Sequence, residues 1–439
     1  MAIIQRVEVV RALLRALKTR NFLILAGLSG TGKTQLARYI ARAVANIEEV
    51  WGPGEGLDKL LAKLDKTVAE GTSCNEFEPV EGYPGWIAVK DPGASITDGE
   101  SGTTYLKRVG FLAVRPDWTD AKKIWGYYNP LTGHFYPTDA LVVALNAYRD
   151  YLDRGDGAHR HYVILDEMNL ARVEYYLSDL LSLMESGCRE VPDDPKQVMI
   201  GETAMVHPLD SMIVSRGRRG IRHDNNAAQE GAMDQVVPLY EMDVRRWIYS
   251  PLVEGLRVAT RPDTEWDPAA DYRDVIAAVF PIPPRIAYTP NMTLIGTINI
   301  DETTHGFAPK VLDRAFILEF DEVDYEAALG RHPAFDETRD LLDGLHDALS
   351  PAGRHFGYRV AQEMLDYVQG AGGVLDHEVG DFLVMGKVLP KLRGTEPELA
   401  QPVASLLALM QRFGYERSSK KLIRMQTQLK NSGFGSFFT

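Results

Sequence analysis

The eight residues Gly27-Leu28-Ser29-Gly30-Thr31-Gly32-Lys33-Thr34 constrain this chain more than any others. Their glycines, lysine and threonine have the spacing of a phosphate-binding loop. The run Phe22-Leu23-Ile24-Leu25-Ala26 before them is wholly apolar, which suits a strand buried on both faces. After them, Leu36, Tyr39, Ile40 and Ala43 recur at helical spacing. Strand, glycine turn and helix together are the context that makes the pattern meaningful. Glycines let the backbone wrap tightly, so that the N–H groups from Gly27, Ser29, Gly30, Thr31 and Gly32 can face phosphate oxygens. The helix start adds a positive dipole end. Lys33 is expected to reach the β- and γ-phosphates, and the Thr34 hydroxyl to ligate Mg²⁺.

A second apolar run, His161-Tyr162-Val163-Ile164-Leu165, ends in Asp166-Glu167. Acids at the carboxyl end of a buried strand stand where open α/β sheets bind ligands. By itself such a pair is equally well a solvated strand end. Following a phosphate loop, it reads as Asp166 in the Mg²⁺ shell and Glu167 orienting or deprotonating the attacking water. Asn169 and Arg172 come next, and capping or surface pairing would explain them equally well. Val173, Leu177, Leu180, Leu181 and Met184 form one helical face, with Gly187 at its end. A third strand, Thr293 to Ile298, ends at Asn299, whose amide could bind the γ-phosphate or the lytic water. A fourth, Ala315 to Phe320, follows Arg314, which is either a surface ion pair or an arginine finger for a neighbouring subunit.

In this order the motifs resemble AAA+ ATPases, and within them the McrB-like branch related to MoxR and dynein-type modules. The matching stretches are Gly27 to Thr34, Val114 to Asp120, Gly126 to Thr132, Leu165 to Glu174, Gly296 to Thr304, Lys310 to Phe320 and Phe356 to Val360. The resemblance implies Lys33 and Thr34 as Walker A and Asp166 and Glu167 as Walker B. It also implies Asn299 as first sensor, Arg314 as finger and Arg359 as a second-sensor arginine in the lid. Asn169 matches an asparagine through which a partner nuclease subunit stimulates McrB-type motors. GTP-preferring McrB proteins carry an arginine after the first sensor, where this chain reads Asn299-Ile300-Asp301-Glu302-Thr303-Thr304, and a second arginine where it has Ala315. ATP is therefore expected, with GTP as the alternative. The phosphate loop begins within the first thirty residues, so the expectation is that another polypeptide reads any DNA target, or that this chain is a motor-only fragment.

Charge and composition set limits on partners and compartment. A net charge of −13 excludes a uniformly basic, nucleic-acid-coating surface, but leaves room for a local basic patch. No apolar stretch approaches the roughly 20 residues needed to span a bilayer, and no charged segment followed by a signal core opens the chain. Two cysteines, Cys74 and Cys188, build no disulfide framework, which points to a reducing cytoplasm, and the short apolar runs point to no membrane association. Residues Met1 to Arg20 read as one leading helix. Trp51 to Glu100 reads as an insertion with a helix near Leu57 to Val68, and Phe111 to Val114 as a strand. Pro137 to Asp153 reads as an amphipathic helix.

The long interval from Glu190 to Tyr288 holds Ser215-Arg216-Gly217-Arg218-Arg219-Gly220-Ile221-Arg222-His223 and Arg245-Arg246-Trp247, candidate phosphate contacts or merely solvated loop. From about Val323 the pattern turns helical. The expectation is thus an α/β nucleotide-binding core over 1–322, with insertions at about 51–110 and 190–288, and a helical lid over 323–439. As a ring, in all expectation a hexamer, it would hydrolyse nucleoside triphosphate with Mg²⁺ as motor of an McrBC-like restriction or phage-defence system. An McrC-like nuclease or other effector is the implied partner, with DNA contacted through the ring or that partner. The alternatives are a MoxR-like protein-remodelling ATPase and a nucleotide-gated scaffold with little turnover.

Overall fold

The computed structural model describes residues 2–93, 107–129, 134–187, 189–191, 194–199, 203–205, 256–257, 285–300 and 305–438. Its centre is a five-stranded sheet in the order Phe316–Phe320, Phe22–Gly27, Met292–Asn299, His161–Asp166, Val109–Ala113. All four pairings are parallel. The three central strands are buried and largely apolar because both faces are covered, whereas the edge strand Phe316–Phe320 is mostly exposed. Phe22 and Ile24 face a core shared with Val163, Leu165 and the helix Asp139–Arg154. Leu23 and Leu25 face the opposite core, shared with Tyr162, Ile164 and the helices Val7–Thr19, Lys33–Trp51 and Glu55–Glu70. The glycine-loop strand comes first in the sheet's chain order, yet later strands flank it on both sides. Its carboxyl end is therefore a topological switch point, where a crevice opens.

Several expected boundaries move. Met1 to Arg20 is not one helix: Ala2–Arg6 is a strand, and the helix starts at Val7. The strand forms because Trp86–Lys90 offers it an antiparallel ladder, and Phe77–Pro79 completes that small sheet. The described part of the stretch read as an insertion, residues 51–93, packs into the core, where Leu57, Leu60, Leu64, Phe77, Ile87 and Val89 are buried. The helix expected from Val173 onward is two pieces, Val173–Tyr176 and Ser178–Ser186. Ser215 to His223, Arg245 to Trp247 and Cys188 lie outside the described residues, as does most of the interval from 190 to 288.

Beyond the last sheet strand the chain is helical and buries its own core, with Phe335, Leu342, Met364, Leu406, Met410 and Leu422 among its members. The helices Phe335–Leu349, Tyr358–Gly370, Glu396–Phe413 and Glu416–Ser432 carry it. A capping box at Thr395 and Glu398 starts the third of these. The Asp381 carboxylate accepts from the backbone N–H groups of Arg417 and Ser418, satisfying the start of the fourth.

Candidate nucleotide site

At the carboxyl end of the glycine-loop strand, the chain turns through Leu28 to Gly32 and enters the helix at Lys33. Gly30 and Gly32 have φ of +82° and +85°, values that residues with a Cβ adopt at a cost. The Lys33 side chain is buried, and its Nζ donates to the carbonyl oxygens of Gly27 at 3.0 Å and Leu28 at 2.6 Å. Neutral carbonyls compensate a buried ammonium only in part, so an anion in this loop would be a stronger partner. The Thr31 hydroxyl donates to Leu28 O at 3.0 Å, and Thr31 O accepts from Gln5 Nε2 at 2.8 Å. Gln5 is a site residue that periodicity did not reveal, because its strand exists only by pairing with Trp86–Lys90.

The acids gather beside that loop. Thr34 Oγ1 donates to Asp166 Oδ1 at 2.5 Å, and Thr297 Oγ1 donates to the same oxygen at 2.7 Å. Thr297 Oγ1 in turn accepts from the Glu167 backbone N–H at 3.0 Å. Asn299 Nδ2 donates to Glu167 Oε1 at 3.2 Å, and Asn169 Nδ2 donates to Asn299 O at 3.2 Å. Glu167 has φ of +52°, alone among the described non-glycine residues in being positive. A left-handed non-glycine residue costs about 1–3 kcal/mol and persists where surrounding structure over-determines it, commonly at functional sites. Here the Thr297 hydroxyl and the Asn299 amide do the holding. Thr297 was read only as a strand residue. Its role follows from sheet register, which sets the Met292–Asn299 strand beside both the glycine-loop strand and the Asp166 strand.

The oxygen donors of Thr34 and Asp166 fit Mg²⁺. That ion takes one or two carboxylates with phosphate oxygens and several waters, so no cluster of three acidic side chains is required. Among the described residues, none is found.

The helical region closes the loop from above. Arg359 N–H donates to Gly30 O at 3.3 Å. A Cβ on Gly30 would come within 2.7 Å of the Arg359 Cβ, and one on Gly357 within 2.7 Å of Ser29 O and the Gly30 carbonyl carbon. Glycine on each side permits this backbone-to-backbone approach. Alongside lies a cleft of about 450 Å³, lined by Gly27, Leu28, Arg6, Trp86, His346 and His355 among others. The Arg6 guanidinium lies 4.8 Å from the Trp86 ring centroid and pairs with Glu322 at 2.8 Å. A cleft of that size suits a small-molecule ligand.

The structure brings the loop residues Gly27 to Thr34 together with Asp166, Glu167, Asn169, Asn299 and Arg359. It does not bring Arg314 there. Arg314 precedes the Phe316–Phe320 strand, whose Phe316 pairs level with Leu23 and whose Phe320 pairs level with Gly27. It stands beyond the amino end of the sheet and donates to Leu181 O and to the Glu185 carboxylate of its own chain. Arg172 is on the surface, with its guanidinium 5.7 Å from the Tyr175 ring centroid.

A family model described as a domain of unknown function (DUF8727) matches residues 318–434. That span takes in the helical region with Gly357 and Arg359, and excludes the glycine loop and the acids. No curated protein is significantly similar to the chain. No helix among the described residues is long and apolar enough to cross a membrane.

Proposed function

We propose that this chain is a Mg²⁺-dependent nucleoside triphosphatase, an AAA+ motor of the McrB-like branch that works as a ring, a hexamer by that resemblance. One observation carries the reading. Thr34, Asp166, Thr297, Glu167, Asn299 and Asn169 form one continuous hydrogen-bonded chain beside Lys33. A glycine turn without chemistry has no need of two hydroxyls, two acids and two amides linked in one chain.

In this reading Lys33 and the loop N–H groups hold the triphosphate, replacing the contacts that Lys33 makes with Gly27 and Leu28. Thr34 and Asp166 would hold Mg²⁺, which supplies charge neutralisation to the phosphates when bound. Glu167 takes a proton from the attacking water as its oxygen bonds to the γ-phosphorus, while the bond to the β–γ bridging oxygen breaks and the diphosphate leaves. Asn299 positions Glu167 and the water. Arg314 stabilises the transferring group of the adjoining subunit, because it lies too far down its own sheet to serve its own site. The cleft beside Gly27 and Leu28 would take the base. The biological setting that fits best is the motor subunit of an McrBC-like restriction or defence system with a nuclease partner, Asn169 relaying the partner's stimulation.

The test is turnover of ATP and of GTP by the full chain with Mg²⁺, with and without duplex DNA. ATP hydrolysis raised by DNA is expected. Lys33→Ala should abolish nucleotide binding, and Glu167→Gln should keep binding and lose turnover by at least about a hundred-fold, the usual scale of a general base. A wild-type chain that binds neither nucleotide overturns the proposal. Stimulation by unfolded protein instead of DNA would move it to the MoxR-like reading.

A further inference from the structure

The nucleotide site makes no use of the last long helix, Glu416–Ser432. It carries Arg417, Lys420, Lys421, Arg424 and Lys430 against one acid, Glu416, in a chain of net charge −13. The helix buries Leu422, Met425 and Leu429 in the core of its own region. Arg417, Lys420 and Arg424 are exposed, and their i, i+3, i+7 spacing sets them on one stripe, with Lys421 at its edge. Lys420 pairs with Glu416 at 3.2 Å, a solvent-exposed contact worth little. Aromatic rings flank the stripe. The Arg417 guanidinium lies 4.2 Å from the Phe382 ring centroid, and Lys421 Nζ lies 4.7 Å from that of Phe437. Phe382 is 42% exposed and Phe438, whose ring centroid is 5.2 Å from that of Phe437, is 81% exposed.

We infer that this face binds a single strand of nucleic acid, its phosphates along Arg417, Lys420 and Arg424 and its bases stacked on the flanking rings. Three observations choose that occupant. The charge complements a polyanion on a protein that otherwise repels one. Exposed rings beside cations form the stacking platform that single strands use. Two copies of this basic stripe set face to face would oppose like charges, which disfavours a second copy of the chain. A membrane surface is disfavoured too, since the helix turns Leu422, Met425 and Leu429 into the fold and leaves Ile423 as its one exposed large apolar side chain to insert. The inference extends the DNA-directed reading above, yet it does not rest on nucleotide hydrolysis.

Fluorescence anisotropy of labelled (dT)20 with the full chain, in the absence of nucleotide, tests it. Lys420→Glu combined with Arg424→Glu should weaken binding at least ten-fold. Lys420→Ala with Arg424→Ala should lower the slope of log affinity against log salt by about 1.4, roughly 0.7 per lost phosphate contact. Phe382→Ala with Phe438→Ala should cost about ten-fold at an unchanged slope, the signature of stacking. ATP binding should stay as in wild type in all of these variants, because none of these residues touches the nucleotide site, and the melting temperature should hold in the Lys420 and Arg424 variants, whose side chains are exposed. Unchanged (dT)20 affinity in the charge-reversed variant overturns the inference. So does a loss of self-association, or of binding to anionic phosphatidylserine vesicles, with (dT)20 affinity intact. Failure of ATP binding by the wild type would sink the proposed function and leave this result standing.

Discussion

Single atoms decide the candidate site. Asp166 Oδ1 receives two hydroxyls, one from the glycine-loop helix and one from the neighbouring strand, and the second of these also holds Glu167 in its unusual backbone conformation. Loss of the Thr297 hydroxyl would leave the Glu167 N–H without this acceptor and loosen the carboxylate it carries. Gly357 is the corresponding point between loop and helical region. Its added Cβ would meet backbone atoms of Ser29 and Gly30, which cannot rotate away as a side chain would. Gly357→Ala should destabilise the protein by about 1–3 kcal/mol through overpacking, and weaken nucleotide binding by prising the helical region off the loop. Gly370→Ala, where a Cβ meets nothing within 4 Å, should be close to neutral. Chemical denaturation and nucleotide titration of both variants check the pair.

Among elements, the strand His161–Asp166 shows how burial couples site to stability. It opens on His161, whose imidazole burial holds neutral, with its pKa pushed down to about 3 from the ordinary 6.5. The unfolded chain therefore binds a proton that the folded chain refuses between those values. Stability from this group is fully present above pH 6.5 and is lost as the pH falls toward 3. The loss between pH 7 and pH 5 should be about 2 kcal/mol, and His161→Asn should shrink it. Glu48 works in the opposite sense, since burial raises its pKa and the fold takes up its proton more readily. Melting curves of wild type and His161→Asn across that range measure the difference. The strand itself was legible from its unbroken apolar run, because a parallel strand covered on both faces must be apolar throughout. The strand Ala2–Arg6 was not. Five residues running into an amphipathic helix carry no period of their own, and only the ladder with Trp86–Lys90 makes them extended.

At the scale of the whole molecule, the proposed finger Arg314 can serve only a neighbouring subunit. Arg314 sits beyond the end of the sheet opposite to Lys33 and is tied to the helix Ser178–Ser186 through Leu181 O and Glu185. Its side chain keeps 23% of its surface exposed, so a neighbouring subunit can reach it. Arg314→Ala should keep nucleotide binding and lose most turnover, on the scale of 10³-fold for an arginine finger. Mixing Arg314→Ala subunits with Lys33→Ala subunits is the sharper measurement. Each mixed interface that pairs an intact Lys33 with an intact Arg314 should regain activity. A mixture as inert as its components, or a monomer with full turnover, would remove Arg314 from the chemistry.

The polar ends of the sheet strands were legible from the sequence alone. Glycine spacing, two acids after an apolar run and one asparagine after another mark where an α/β sheet presents polar groups, since apolar runs have to stop where the sheet meets water. The tertiary structure alone decided what those groups touch. Thr297 bridging the acids, Gln5 reaching the loop and Gly357 seated on Gly30 depend on strand order and on contacts between segments far apart in the chain. Local periodicity holds no record of such neighbours, because it reports which way a side chain faces and not what it meets there.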